Sequence, residues 1–194
     1  MTQASAARKG GHWTGWAIAL MFLLTAWTAQ AQPQSPSQPQ SQPQSQPAPQ
    51  PLPVPLTLDV SGKIRKTNDA AHALYHFSEA QLLALPAHSI TTATTWTPRS
   101  TFTGPRLADI LKTVGAYGTE IEFHTLDDYT YTVPVSDCDR YDVVVAYSIN
   151  GRRLKVSDFG PLFLIYPRDA FPGELAGAES DSKFVWQIKA LIVK

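Results

Sequence analysis

The chain has 194 residues, with 16 basic and 16 acidic side chains, a single cysteine and 16 prolines. Balanced charge with no run or stripe of Lys and Arg excludes a nucleic-acid-binding surface. One cysteine excludes an intramolecular disulfide and a cysteine-rich zinc site.

The N-terminus reads as an export signal. Arg8 and Lys9 form a positive stretch, Trp16 to Leu24 an apolar core, and Ala29-Gln30-Ala31 a small-x-small cleavage site, so cleavage is expected before Gln32. The apolar core is shorter than the ~20 residues a bilayer span needs. An uncleaved anchor over Gly15 to Ala31 is the competing reading. No Arg-Arg pair precedes the core and no cysteine follows it, which points to the general export route without a lipid anchor. The expected location is the periplasm or the exterior.

Residues 32–55 are almost entirely Pro, Gln and Ser. Such a segment has too little apolar surface to offset its ordering entropy, and is expected to be a disordered, extended spacer. Residues 56–194 then form one domain, of a size that buries roughly two-thirds of its unfolded surface. Without residues 1–31, which hold Arg8 and Lys9 and no acid, the chain is slightly acidic.

Within the domain, Leu56 to Val60 alternates and predicts a strand, with Ser61-Gly62 as its turn. Tyr75 to Phe77 predicts a second short strand. Ser78 and Gln81 form a capping-box pair that opens a helix carrying Leu82, Leu83 and Leu85, closed by Pro86. The β-branched run Ser89 to Trp96 predicts a strand, and Thr97 to Pro105 a loop. Arg106 to Val114 predicts an amphipathic helix with Leu107, Ile110, Leu111 and Val114 on one face and Gly115 as its stop. Glu120 to Thr125 and Tyr129 to Val135 predict a hairpin across Leu126-Asp127-Asp128. Val143 to Ile149 predicts an apolar strand followed by the Asn150-Gly151 turn. Leu162 to Tyr166 and Phe184 to Val193 predict the last strands. Strands dominate and two helices come early, so the class is α+β, mainly mixed β-sheet with a few short helices.

Several residue patterns resemble the sulfite-oxidase-like molybdopterin-binding family. Thr103-Gly104-Pro105-x-Leu107, with Leu111 behind it and Trp96 upstream, is similar to that family's aromatic-Gly-Leu-Leu signature. Ala146-Tyr147-x-x-Asn150-Gly151-x-x-Leu154 resembles its Asn-Gly hairpin. Gly160-Pro161-Leu162 with Tyr166-Pro167, Phe184-Val185-Trp186-x-x-Lys189, and Tyr129 with Pro134 resemble its later segments. The resemblance covers about Leu56 to Lys194. It implies the family's scaffold and raises the question of a molybdopterin cofactor. In the catalytic members a cysteine thiolate, on the strand corresponding here to about Ile90 to Thr95, ligates molybdenum. This chain has Ile-Thr-Thr-Ala-Thr-Thr there, and its Cys138 lies in a different element. Phe163 stands where the family often has Arg. A hydroxyl is a much poorer ligand than a soft thiolate.

The candidate binding residues are Trp96, Arg99, Arg106, Tyr129 and Arg168. The three arginines have the planar guanidinium suited to anions. Arg99 and Arg106 flank the entry to a helix, whose N-terminus favours negative charge, and Arg168 follows a core strand. Trp96 and Tyr129 are candidate pocket walls among aromatics that otherwise read as sheet packing. Residues 169–174 are a candidate lid. Cys138, flanked by Asp137 and Asp139, has a thiol those charges would keep protonated. His72, His76, His88 and His124 form no His-Glu-x-x-His or two-His-one-carboxylate pattern, and His72 and His76, four apart, fall where Tyr75 to Phe77 reads as strand, so no metal ligands and no catalytic residues are assigned.

These observations lead to an expectation of an exported accessory or ligand-binding protein on this scaffold, without the molybdenum cofactor. Its expected partner is a small anionic ligand or another periplasmic protein. The alternative is a periplasmic molybdopterin-dependent oxidoreductase that uses a non-cysteine ligand or acts with a partner subunit.

Overall fold

The computed structural model describes residues 54–194. The export signal and all but the last two residues of the spacer lie outside the described residues. No helix among the described residues is long and apolar enough to cross a membrane.

The first strand, β1 (Leu58–Gly62), is followed by β2 (Tyr75–Phe77) and α1 (Glu79–Ala84). The capping box at α1 forms in full: Ser78 Oγ accepts from the Gln81 amide, and the Gln81 side chain accepts from the Ser78 amide. The residue before Pro86 is extended, which ends the helix. Then come β3 (Ala87–Thr92), β4 (Ser100–Pro105) and α2 (Leu107–Val114). The four apolar residues of α2 are all buried, and Gly115 ends it in the left-handed region at φ 64°. The hairpin β5 (Glu120–Thr125) and β6 (Thr130–Pro134) leads into α3 (Ser136–Tyr141). The strands β7 (Val144–Ala146), β8 (Ser148–Ile149), β9 (Arg152–Arg153) and β10 (Phe163–Ile165) follow. The short helix α4 (Ala178–Asp181) and the strand β11 (Ile188–Val193) complete the domain.

Three sheets result. The largest has the order β2-β1-β11-β5-β6, with β1 and β11 parallel and the other neighbours antiparallel. The second has the order β3-β4-β8-β9, and β7 pairs with β10 in the third. The core runs between them. Phe102 of β4 meets Phe163 of β10 edge-on at 5.7 Å, and α2 seals the core with its buried face.

Four local readings need correction. Residues 100–105, expected as loop, are the strand β4. Its Gly and Pro read as breakers, but pairing with β3 and β8 overrides them. Ser89–Thr103 and Thr91–Thr101 hydroxyl pairs at 2.8 and 2.9 Å lace it to β3. The strand expected to reach Trp96 stops at Thr92, because Thr94 Oγ1 accepts from the amides of Trp96 and Thr97 and folds a turn. Residues 143–149, expected as one strand, serve two sheets. The last strand starts at Ile188, after Gln187 takes φ 56°. The helix α3 has no apolar periodicity and was not expected.

That helix buries Cys138, which is 4 % exposed. Burial, and then the charges of Asp139 and Asp137, push its thiol up to about 12. A neutral, buried thiol is inert toward electrophiles. We expect the native protein at pH 8 to resist iodoacetamide at Cys138 and to be alkylated promptly once unfolded in urea, as read by mass spectrometry.

Gly104 shows why the Gly-x-x-Leu pattern is needed at the end of β4. A Cβ there would lie 2.0 Å from the Val145 carbonyl oxygen and 2.7 Å from Ala146 Cα, both backbone. Backbone cannot swing away, so the strands must separate. Gly104→Ala is expected to destabilise the domain by about 3 kcal/mol or more in denaturant unfolding. Gly173→Ala, where a Cβ meets nothing within 4 Å, is expected to change stability little.

Candidate functional site

The turn that ends β3 and the β5–β6 hairpin both reach the segment leading into β11. Where they meet is a cleft of about 340 Å³. Trp96 comes from the first, Thr125, Asp127 and Tyr129 from the second, and Phe184, Val185 and Trp186 from the third; Asp181 and Ser182 close it from the end of α4. The sequence suggested Trp96 and Tyr129 as pocket walls, and the fold brings both to this cleft. Trp96 and Trp186 meet edge-to-face with ring centroids 4.6 Å apart.

Local chemistry fixes each wall. In the hairpin turn, Thr125 N–H donates to the Tyr129 carbonyl at 3.1 Å and Asp128 adopts φ 64°. Asp127 Oδ1 accepts from the Thr125 hydroxyl and, at 3.4 Å, from the Tyr129 amide. The Leu126 amide donates to the Gln187 carbonyl at 2.9 Å, which ties the turn to the Trp186 segment. The Thr125 hydrogen bond holds the Asp127 carboxyl below its ordinary range. Asp181 is likewise held low, first by a hydrogen bond from Thr95 and then by Arg168. Both carboxylates are therefore ionised at neutral pH.

The three arginines fall in different places. Arg168 sits behind the cleft wall: it pairs with Asp181, donates to Thr95 Oγ1 at 3.1 Å, and lies 4.7 Å over the Phe184 ring. Its Nε is buried without a partner. Arg99 pairs with Asp169 at 2.6 Å. Arg106, the residue before α2, pairs with Asp109 at 3.2 Å and Asp142 at 3.4 Å, so acids already occupy that helix start. None of the three lines the cleft. The arginine and lysine beside a cleft that lack a salt bridge among the described residues are instead Arg152 and Lys155. They border a second hollow near Phe159, where Arg153 pairs with Glu79. Sequence reasoning did not single these out, and the charge density of Arg152-Arg153-x-Lys155 after the Asn-Gly turn was the available signal.

The Ile90–Thr95 segment tests the fit of a thiolate-held molybdenum centre. Thr92 Oγ1 accepts from the Asp169 amide at 3.1 Å and donates to the Ala93 carbonyl at 3.3 Å. Thr94 Oγ1 pairs with Thr97 Oγ1 at 2.9 Å, and Thr95 is taken by Arg168. Every hydroxyl there is bonded within the protein, and Cys138 is buried on α3 with a protonated thiol. Among the described residues no cluster of three His, Cys, Asp or Glu could hold a metal ion. The residues present do not fit that centre.

Comparison with known proteins gives the lineage. A family model described as the oxidoreductase molybdopterin binding domain matches residues 75–171. No curated protein matches the sequence significantly. Among solved structures, the sulfane dehydrogenase SoxCD from Paracoccus pantotrophus superposes with a TM-score of 0.52 and 17% identity, covering 71% of this chain and 37% of that one. The chain thus spans little more than a third of its neighbour's length, and at that identity the likeness is one of fold. With half of its residues inside the family model, and with the fold of such a protein, the chain belongs to the oxidoreductase molybdopterin binding domain family.

Proposed function

We propose that this protein is an exported ligand-binding or accessory module that keeps the family scaffold and works without a molybdenum cofactor. The observation that carries the reading is the end of β3, where the hydroxyls of Thr92, Thr94 and Thr95 are all committed to internal bonds and no thiolate is present. A soft, deprotonated sulfur is what such a centre would draw from the protein, and a protonated threonine hydroxyl engaged in internal hydrogen bonds is a hard and poor substitute. The arginines the sequence offered as anion contacts, Arg99, Arg106 and Arg168, are each paired with a carboxylate.

What remains accessible is the cleft beside that segment. A small, mostly apolar hollow with a few placed polar groups is the ordinary form of a ligand site. The protein's place outside the cytoplasm rests on the N-terminal signal pattern, and the Pro/Gln/Ser segment then tethers the domain or spaces it from a neighbour.

The test is cofactor content. Expressed with its own signal in a molybdenum-competent Gram-negative host and purified from the periplasm, the folded protein is expected to carry neither molybdenum nor releasable pterin. Near-stoichiometric amounts of both would overturn the reading in favour of an oxidoreductase with a non-cysteine ligand. Recovery of the protein only from the cytoplasm, with residues 1–31 intact, would overturn the export component.

A further inference from the structure

The charge and surface of the cleft narrow the class of ligand it would take. The ionised groups lining it are Asp127 and Asp181, and no Lys or Arg lines it. Asp181 is compensated by Arg168 from behind. Asp127 has no salt bridge among the described residues: Lys189 is paired with Asp128 at 2.6 Å and acts on Asp127 only through its field. Asp127 uses Oδ1 for the hairpin turn, and Oδ2 makes no hydrogen bond among the described residues.

The apolar part of the cleft is aromatic, and it is open. Trp96 is 40 % exposed, Tyr129 49 % and the adjacent Leu126 36 %, half of the large exposed hydrophobic residues in the described chain. A tryptophan held at an exposed position by an ordered turn loses apolar burial that the core could have given it. Indole and phenol faces carry negative potential and attract cations, and more strongly when water is displaced. A carboxylate beside such faces adds Coulomb attraction of the same sign, whereas an anion would meet Asp127 with no cation to pair it.

We propose that the cleft between Trp96, Tyr129 and Trp186 binds an organic cation, an ammonium or guanidinium group on a small apolar body. The inference deepens the ligand-binding reading above and replaces its expected anionic ligand. A volume of about 340 Å³ lies at the small end for ligand pockets, the size of one compact amine or one basic side chain. The cation therefore comes from a free small amine or from a Lys or Arg presented by a partner protein.

The test follows the indole N–H signals of Trp96 and Trp186 by NMR in the full processed chain, assigned by Trp→Phe substitution. The probes are benzyltrimethylammonium, benzenesulfonate, and blocked Gly-Lys-Gly and Gly-Arg-Gly peptides. Benzyltrimethylammonium or a basic peptide is expected to shift both signals saturably, and benzenesulfonate to leave them unmoved. Tighter binding of the peptides assigns the site to a partner's side chain, and tighter binding of the free ammonium assigns it to a small solute. Asp127→Asn keeps the Oδ1 acceptor of the turn and is expected to weaken cation binding five-fold or more. Tyr129→Phe is expected to bind as the parent does and Tyr129→Ala to lose several-fold. No saturable shift with any cation at millimolar concentration, or sulfonate binding as tight as the ammonium, would overturn the proposal. A cofactor-free protein whose indoles ignore every cation removes this inference alone, while bound molybdenum and pterin remove the reading beneath it.

Discussion

The Arg168 guanidinium is the joint on which the cleft depends. From the end of β10 it reaches Thr95 in the turn after β3, Asp181 at the end of α4, and the face of Phe184 on the way to β11. It thus ties the turn after β3 to the α4–β11 connection, more than eighty residues later in the chain, where Phe184 N–H also donates to the Asp181 carbonyl at 3.0 Å. A planar fork with several donors can hold a hydroxyl and a carboxylate at once while its face packs on an aromatic ring; an ammonium cannot do all three. Asp169, the next residue, extends the clamp by accepting from the Ala93 amide and donating its own amide to Thr92.

This clamp decides the chemistry of the site as well as its shape. The turn after β3 is where the resemblance to the catalytic members places a metal-binding thiolate. Here its hydroxyls are engaged by Arg168, Asp169 and Thr97, and no cysteine is present to offer a thiolate. The positive charge that would draw an anion is turned inward against Asp181. The outward-facing charge is Asp127, among aromatic faces, so the electrostatic sign of the cleft is negative. Arg152 and Lys155, without a salt bridge among the described residues, line the separate hollow near Phe159. One small domain thus presents two hollows of opposite character, one aromatic and acidic, the other basic.

Much of this was legible in the sequence where the signal is local. The Ser78–Gln81 capping box, the apolar face of α2 with Gly115 behind it, and the β5–β6 hairpin each depend on residues within a few positions of one another, and each forms as its pattern predicts. The strand β4 was not legible, because Ser-Thr-Phe-Thr-Gly-Pro favours a loop locally and becomes a strand only through pairing with β3 and β8. Helix α3 carries no apolar period and forms where the chain leaves β6. Trp96 and Tyr129, two of several aromatics the sequence offers, both lie along the cleft. Asp127 was within reach, since Thr125-x-Asp127 is a turn-forming spacing. Asp181 was not, because it is placed by an arginine thirteen residues upstream whose own role could not be read from its neighbours. The same long-range pairing is why the arginines looked free in the sequence and are bound in the fold.

If Arg168 is a structural clamp and not a ligand-binding group, Arg168→Ala must disturb the domain in the absence of any ligand. Its side chain is 18 % exposed and that of Asp181 25 %, so deleting it strands a partly buried carboxylate. The variant is expected to lose about 2 kcal/mol in denaturant unfolding, reduced from the cost of breaking a fully buried pair by the partial exposure. Its Trp96 and Trp186 indole signals are expected to be displaced or broadened before anything is added. A variant with parental stability and unchanged indole signals would contradict the clamp, and would mean that the guanidinium is free to serve a ligand.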